Sequence, residues 1–597
     1  MDNKLTTSSD ETPIADLFSG DLVFGIPYFQ RPYKWKKENI ERFEEDLLSL
    51  VDIDDTSHFL GAIIIFGKQT APSDPKYYEV IDGQQRLTTC YLSLMAIAKV
   101  FLEHGEVEEA VGLYQRYIAI GRKTKNITNA KLISCKEDRA GMNSVFSDLL
   151  NTNSDFGQTI GPTQYYFKKM PDTGAKTGTI WKNYKRLTSF FEDRYAEDEK
   201  QGEGRGIEAI NTLYAKLTQN MSVVQIVVKN PTDGPKIFDS LNSKQEPMTT
   251  GDLVRNEVFS NFSSMDDDEM SQFDSVYWHP FYERFNQTDN AIKGDKAFEQ
   301  YFFPYVLILD HTVKSSEAFA FLRNRWADKG SPKEIIDDLK QYQDVYLDLY
   351  FGKRLTPVGP ELQGRINRLS RMNTPTSVYP FVMKAVRATI DGVATEEAVV
   401  DILERIESFL VRRVTCGYEP TGLHAVFKSL WNDCAGDYSV ENVVAIIKSH
   451  STVAWPDETE FAKAIQSRPL YKARITPYLL EEWNAHLGGD IPKLENAKQI
   501  EHVLPEKPAA DSQWVQDWSK EDRETKTSCL ANLLPLSAPI NSSLQNADYS
   551  KKKKRYEEDS ALKSPREFAK EYDVWTPDQF YLRATKLKDW ALFRWKY

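Results

Sequence analysis

The chain has 597 residues, of which 41% are hydrophobic, 27% charged and 12% aromatic, with a formal net charge of −13. That length exceeds one hydrophobic core and predicts roughly three or four domains, while no apolar run approaches the ~18 residues of a membrane span and the polar start Met1–Thr12 lacks a signal-peptide core, so a cytoplasmic chain without a membrane partner is expected. The five scattered cysteines include no CxxC pair, which argues against a zinc ribbon or a disulfide framework, and the acidic balance leaves nucleic-acid binding to local basic patches.

In chain order, Leu22–Phe24 reads as a short strand before a proline-containing turn. Glu38–Leu50 carries Ile40, Phe43, Leu47 and Leu50 at helical spacing. Phe59–Phe66 and Tyr77–Ile81 read as strands. The second runs through Asp82-Gly83 into a helical stretch, Leu87–Leu102. Residues 104–220 look mostly helical, with polar loops near 150–160 and 170–178. Val223–Val228, a continuous β-branched run, predicts a buried strand. Helix, loop and helix follow over Lys236–Ser260, and a helical region rich in aromatics covers about 265–485. Near 490 the texture changes: a strand-like Ile500–Leu504 ends at Pro505, then a lysine-rich segment and a tryptophan-rich end follow.

Two N-terminal segments stand out, Ile26–Trp35 (IPYFQRPYKW) and Ile81–Thr89 (IDGQQRLTT). A strand, a tight Asp-Gly turn and a helix expose backbone N–H groups at the helix start. Arg86, just inside that helix, can join them on a phosphate. Asp82 can hold a metal or orient a water. Gln84 and Gln85 can donate to phosphate oxygens or read a base edge. The bland alternatives are an ordinary turn, an Arg86–carboxylate pair, and a core role for Tyr28, Tyr33 and Trp35.

Together these segments resemble the ParB/sulfiredoxin-like nucleotidase domain of GmrSD-type restriction systems, which carries DGQQRLTT after a strand. Its third segment appears as Phe238-Asp239-Ser240-Leu241-Asn242, then Asp252-Leu253 and Asn256. Lys244-Gln245-Glu246 stands where the family has a glycine, so the geometry of that loop is open. The resemblance implies binding or hydrolysis of a nucleoside triphosphate, ATP or GTP. Asp82, Gly83, Gln84, Gln85 and Arg86 would lie at its centre, with Gln30, Arg31 and Asn242 lining the same cleft. An aromatic pocket near Tyr28, Tyr33 and Trp35 would sense a flipped base or a modified backbone.

At the other end stand Ile500-Glu501-His502-Val503-Leu504-Pro505, then Leu530–Leu536 around Asn532, then Asn541 and the basic run Lys551, Lys552, Lys553, Lys554 and Arg555. Residues 490–597 resemble the HNH (ββα-metal) nuclease domain fused to the nucleotidase domain in the same family, with Ala531 in place of its glycine. The resemblance implies His502 as general base and Asn532 as a brace of the loop between the strands. It implies Glu501 and Asn541 as ligands of Mg²⁺ or Mn²⁺. Neighbours on a strand face opposite ways, so Glu501 and His502 share a site only if the strand ends or twists there. The basic run reads equally as a DNA phosphate contact or a solvated face. In the middle, Ser408–Arg413 and Gly422–Phe427 resemble the family's linking region. Arg412 and Arg413 there either contact DNA, join the domains or form surface ion pairs.

The expected chain is α+β. It has a ParB-like sensor domain with a helical insertion over 1–262, a helical linking region over 263–489 and an HNH-type domain over 490–597. The resemblance implies a nucleotide-regulated, metal-dependent endonuclease that nicks or cleaves double-stranded DNA in defence against phage or modified DNA, a layout shared with phosphorothioate-sensing nucleases. A homo-oligomer is compatible with it. Two rivals stay open: a non-catalytic nucleotide-gated DNA-binding adaptor, and an RNA-targeting nuclease toxin.

Overall fold

The computed structural model describes residues 6–28, 30–52, 57–68, 70–121, 128–165, 174–229, 249–260, 262, 267–286, 291–329, 331–492, 494 and 499–597. The chain is α+β and mostly helical. It divides into two compact units, Met1–Pro280 with Lys329–Glu334, and Phe281–Asp328 with Ile335–Tyr597. Most of the helical middle therefore falls in one unit with the C-terminal region, while its residues up to Pro280 and Lys329–Glu334 belong to the first unit.

The first unit is built on a six-stranded mixed sheet of β1 (Thr6–Pro13), β2 (Leu22–Gly25), β3 (His58–Lys68), β4 (Lys76–Asp82), β5 (Leu132–Ile133) and β6 (Met221–Val228), in the order β1-β6-β3-β4-β2-β5. β1 pairs with β6, and β3 with β4, antiparallel. The other three pairings are parallel. Ile63, Ile64 and Ile65 show why the central strand reads as a continuous apolar run. Ile63 and Ile65 enter the large core, while Ile64 packs with Ile226 and Val228 in a smaller cluster. Alternation sends them to opposite faces, and both faces are apolar.

Helix α1 (Lys37–Asp52) buries Ile40, Phe43, Leu47 and Leu50, the face its spacing predicts. Helix α2 (Gln84–Glu103) is buried almost all round from Arg86 to Leu102, so its sequence shows little amphipathicity. Three features were not expected. β1 is an edge strand of polar sequence, TTSSDETP. A small sheet of Ala119–Gly121, Thr128–Ala130 and Thr163–Tyr165 interrupts the mainly helical stretch. A short helix, Ser154–Ile160, replaces a polar loop because the Asn153 side chain accepts from the N–H groups of Asp155 and Phe156. Of the expected Lys236–Ser260 elements, helix α3 (Thr250–Ser260) is present, and 236–248 lie outside the described residues.

In the second unit, α4 (Glu396–Cys416) is capped by Thr395 and buries Val399, Leu403, Ile406 and Leu410. Its Arg412 is fully buried, donating to the Trp595 carbonyl at 2.7 and 2.9 Å and to that of Pro456 at 3.2 Å. Arg413 donates to the carbonyls of Ala454 and Glu419. Both arginines thus tie segments of this unit together. The chain ends in β7 (Ile500–His502), β8 (Leu533–Pro535), α5 (Ala538–Leu544), α6 (Tyr549–Glu558) and α7 (Pro577–Arg594). All five cysteines are free thiols, four of them buried. Among the described residues, no helix is long and apolar enough to cross a membrane.

Candidate functional site

In the first unit, a cleft of about 720 Å³ opens between the Gln30–Lys36 segment, α1, the start of β3 and the start of α2. Its lining includes Gln30, Arg31, Trp35, Asp82, Gly83, Gln84, Gln85 and Arg86. The sequence singled out each of these. Asn242 lies outside the described residues.

The two motif segments are stitched to each other. Gln30 donates to the Ile81 carbonyl at 2.9 Å, and Gln84 to the Arg31 carbonyl at 3.0 Å. Gln85 accepts from the Lys34 N–H at 2.8 Å and donates to the Pro32 carbonyl at 3.3 Å. The glutamine amides therefore position the Arg31–Lys34 backbone at the helix start and do not read a base.

Gly83 takes φ +88° and starts α2. The first-turn N–H groups that follow have no partner within the helix, and the dipole favours an anion there. Arg86 is buried, and its Nη1 donates to the Ala62 carbonyl. Burial pulls its pKa down and Asp82 pulls it up, but a guanidinium stays charged under either influence. The guanidinium lies over Gly61, where a Cβ would sit 2.9 Å from Arg86 Nε. Gly61 itself has φ +116°, within an irregularity of β3 between Phe59 and Ala62. That bulge opens the strand for the arginine.

The cleft also carries residues the motifs did not name as site residues: Lys34, Lys36, Asn39, Arg42, Asp46, His58 and Asp252. Asn39, Arg42 and Asp46 share one stripe of α1, a spacing visible in the sequence. Asp252, in the third motif segment, stands 3.9 Å from Arg31. Five cations (Arg31, Lys34, Lys36, Arg42, Arg86) against three carboxylates (Asp46, Asp82, Asp252) make the lining suited to a polyanion.

The aromatic pocket is not assembled. Trp35 lines the cleft, but Tyr28 and Tyr33 are buried elsewhere. The Tyr33 hydroxyl bonds Thr89 at 2.7 Å, and Tyr28 lies under Arg139 and Lys136. Both tyrosines serve packing, because apolar rings with one satisfied polar tip favour the core.

In the second unit, β7 and β8 form a two-stranded antiparallel pair followed by α5. Asn532 is fully buried and uses its whole amide. Its oxygen accepts from the Leu504 N–H at 2.8 Å and Trp575 Nε1 at 3.1 Å. Its nitrogen donates to the carbonyls of Leu504 and Thr527 at 2.9 and 2.8 Å. Arg583, also buried, clamps the same loop through the carbonyls of Ala531 and Leu533. Trp575 and Arg583 are supports that the motif did not reveal.

His502 ends β7, with its ring 4.1 Å from that of Tyr471 and its Nε2 3.7 Å from Glu506 Oε1. Among the described residues nothing hydrogen-bonds Nε2. Burial pushes the imidazole pKa down to about 4, Lys552 adding to the effect and Glu506 opposing it. The ring is neutral at pH 7.

Glu501 points the other way, as alternation requires. It is buried, with Oε1 accepting from Lys552 Nζ at 2.7 Å and the Tyr556 hydroxyl at 2.8 Å. Lys552 is fully buried and also donates to the His502 carbonyl at 2.6 Å. Burial holds the Glu501 carboxyl above and the Lys552 ammonium below their usual ranges. So Glu501 does not turn to the His502 side as a metal ligand, and Lys552 does not face a phosphate. Asn541, on α5, donates to the Ile500 carbonyl at 3.1 Å. Of the remaining basic residues, Lys553 pairs with Asp573, Lys554 with Glu558 and Arg555 with Asp559, while Lys551 is exposed. Among the described residues no three of His, Cys, Asp and Glu gather as a metal cage.

Residues 14–259 match the family model described as GmrSD restriction endonuclease, N-terminal domain. Residues 455–590 match GmrSD restriction endonucleases, C-terminal domain. No curated protein matches the chain. With one domain matched on the cleft and the other on the His502 loop, in that order, the chain belongs to the GmrSD restriction endonuclease family.

Proposed function

We propose that this restriction endonuclease nicks or cleaves DNA in an HNH-type site around His502, under the control of a nucleoside triphosphate, ATP or GTP, bound in the N-terminal cleft. The observation that carries the nuclease reading is His502 itself: a neutral imidazole at a strand end, with Nε2 bonded to nothing among the described residues. Such a nitrogen can take a proton from an attacking water. A phosphodiester brought against it adds negative charge and raises its proton affinity.

The fit to a divalent cation turns on the donors present. Glu501 does not fit, because Lys552 and Tyr556 hold its carboxylate. Asn541, on α5 and donating to the Ile500 carbonyl, is the amide donor this reading assigns to Mg²⁺ or Mn²⁺ beside water and phosphate oxygens. A bound cation supplies charge stabilisation at the scissile phosphate. The chain's own part is to hold His502, through the Asn532 brace and the Lys552 contact to its carbonyl.

The nucleotide reading rests on the cationic cleft at the start of α2. The test is nicking of modified and unmodified plasmid with Mg²⁺ or Mn²⁺, with and without ATP or GTP. Wild type is expected to cut, His502→Ala to lose at least about 100-fold of the rate, and Arg86→Ala to lose the nucleotide effect. Intact DNA under every condition, with RNA cleaved instead, would replace this reading with the RNA-targeting one.

A further inference from the structure

We propose that His58 and Asp46 are the water-activating pair of the N-terminal cleft, acting on the terminal phosphoanhydride of a bound nucleoside triphosphate. The inference rests on the reading of that cleft as a nucleotide site. His58 Nε2 lies 3.3 Å from Asp46 Oδ2, and each side chain is about a third exposed, both lining the cleft.

A polar contact this exposed adds little to stability. Its geometry does something more specific. With a carboxylate 3.3 Å from Nε2, the tautomer that carries its proton on that nitrogen is favoured, and it leaves the lone pair on Nδ1. Asp46 belongs to the α1 stripe that also presents Asn39 and Arg42, and His58 opens β3.

Position along β3 relates the pair to the phosphate-binding arginine. Gly61, over which the Arg86 guanidinium lies, is three residues beyond His58. At ~3.3 Å per residue that is ~10 Å or less of strand, a span that a polyphosphate chain and its attacking water can bridge. The other acids of the cleft are engaged otherwise. Asp252 stands by Arg31 and accepts from the Thr249 N–H, and Asp82 acts on Arg86. His58 is the imidazole among the lining residues.

In the step, the water oxygen attacks the terminal phosphorus as His58 Nδ1 takes a proton from it. The bond from that phosphorus to the bridging oxygen breaks, and its electron pair leaves with the nucleoside diphosphate. Inorganic phosphate is the other product, and His58 returns its proton to solvent.

The experiment uses the full chain, with ATP and GTP in turn, and with and without modified plasmid. It measures nucleotide affinity and phosphate release separately for wild type, His58→Ala, His58→Gln and Asp46→Asn. Both His58 variants are expected to bind nucleotide within about twofold of wild type while phosphate release falls about 100-fold, the scale of a lost general base. Added imidazole should restore part of the rate to His58→Ala, which a purely structural role would not allow. Asp46→Asn should fall less. Undiminished phosphate release in the His58 variants, or a loss that tracks weakened binding and ignores imidazole, overturns the assignment. So does a wild-type chain that binds nucleotide and never hydrolyses it, and this leaves the binding reading standing. A wild-type chain that binds neither ATP nor GTP overturns that reading and this pair with it.

Discussion

At Gly83 the backbone takes φ +88°, and a Cβ there would come within 2.5 Å of Ile63 Cγ2 and 3.0 Å of Ile63 Cα. Gly83→Ala is therefore expected to lower the stability of the first unit by about 2 kcal/mol, read from denaturant unfolding, since strain and overlap add. Gly61→Ala meets the far end of the Arg86 side chain instead of backbone. The φ of +116° there still strains any side chain, so Gly61→Ala should destabilise the fold and, on the proposed reading, also weaken nucleotide affinity by displacing the Arg86 guanidinium. Asp138 gives a pH signature. Its carboxylate accepts from the Tyr33 N–H at 2.7 Å, and burial pushes its pKa up to about 6 from 3.8. The folded chain thus holds this proton between pH 3.8 and about 6 while the unfolded chain has released it. Stability falls as pH rises through that window, by an amount on the order of 3 kcal/mol. Asp138→Asn keeps an acceptor for Tyr33 and should flatten this fall, seen as a higher Tm at pH 7 relative to wild type.

At the scale of elements, the run Lys551–Arg555 separates into two kinds of residue. Lys552 is internal, paired with Glu501, and its removal strands a buried carboxylate. Lys552→Ala should cost about 3 kcal/mol or more, whereas Glu501→Leu with Lys552→Met should be far milder. Lys551 and Lys554, at the surface, should leave stability unchanged when replaced by Ala. If they meet phosphates, DNA binding should weaken and its salt slope should drop by about one per lysine. This division was not legible in the sequence, because five consecutive basic residues carry no sign of which helix face is buried until Tyr549 and Tyr556 are placed against the core. The motifs fared differently. The DGQQR segment announced a turn and a helix start, since Gly83 and the apolar run after Arg86 leave few alternatives. What Gln84 and Gln85 bond to was hidden, because their partners are backbone carbonyls some 50 positions away. β1 was hidden too: a polar edge strand has no alternation to read.

Across the whole molecule, two units with separate cores carry one candidate site each. If the two sites act as proposed, Arg86→Ala should lose the nucleotide effect and His502→Ala the cutting, each without lowering the melting temperature of the other unit. A different consequence follows from the five free thiols. Burial raises the pKa of Cys90 and Cys416 to about 12 and of Cys434 and Cys529 to about 11, and lifts Cys135 well above the usual range. Only the thiolate reacts readily with peroxide or electrophiles. The chain should therefore keep its activity through mild hydrogen peroxide or alkylating treatment and need no reductant in storage, so a cell under oxidative stress would find its restriction barrier chemically indifferent to that stress.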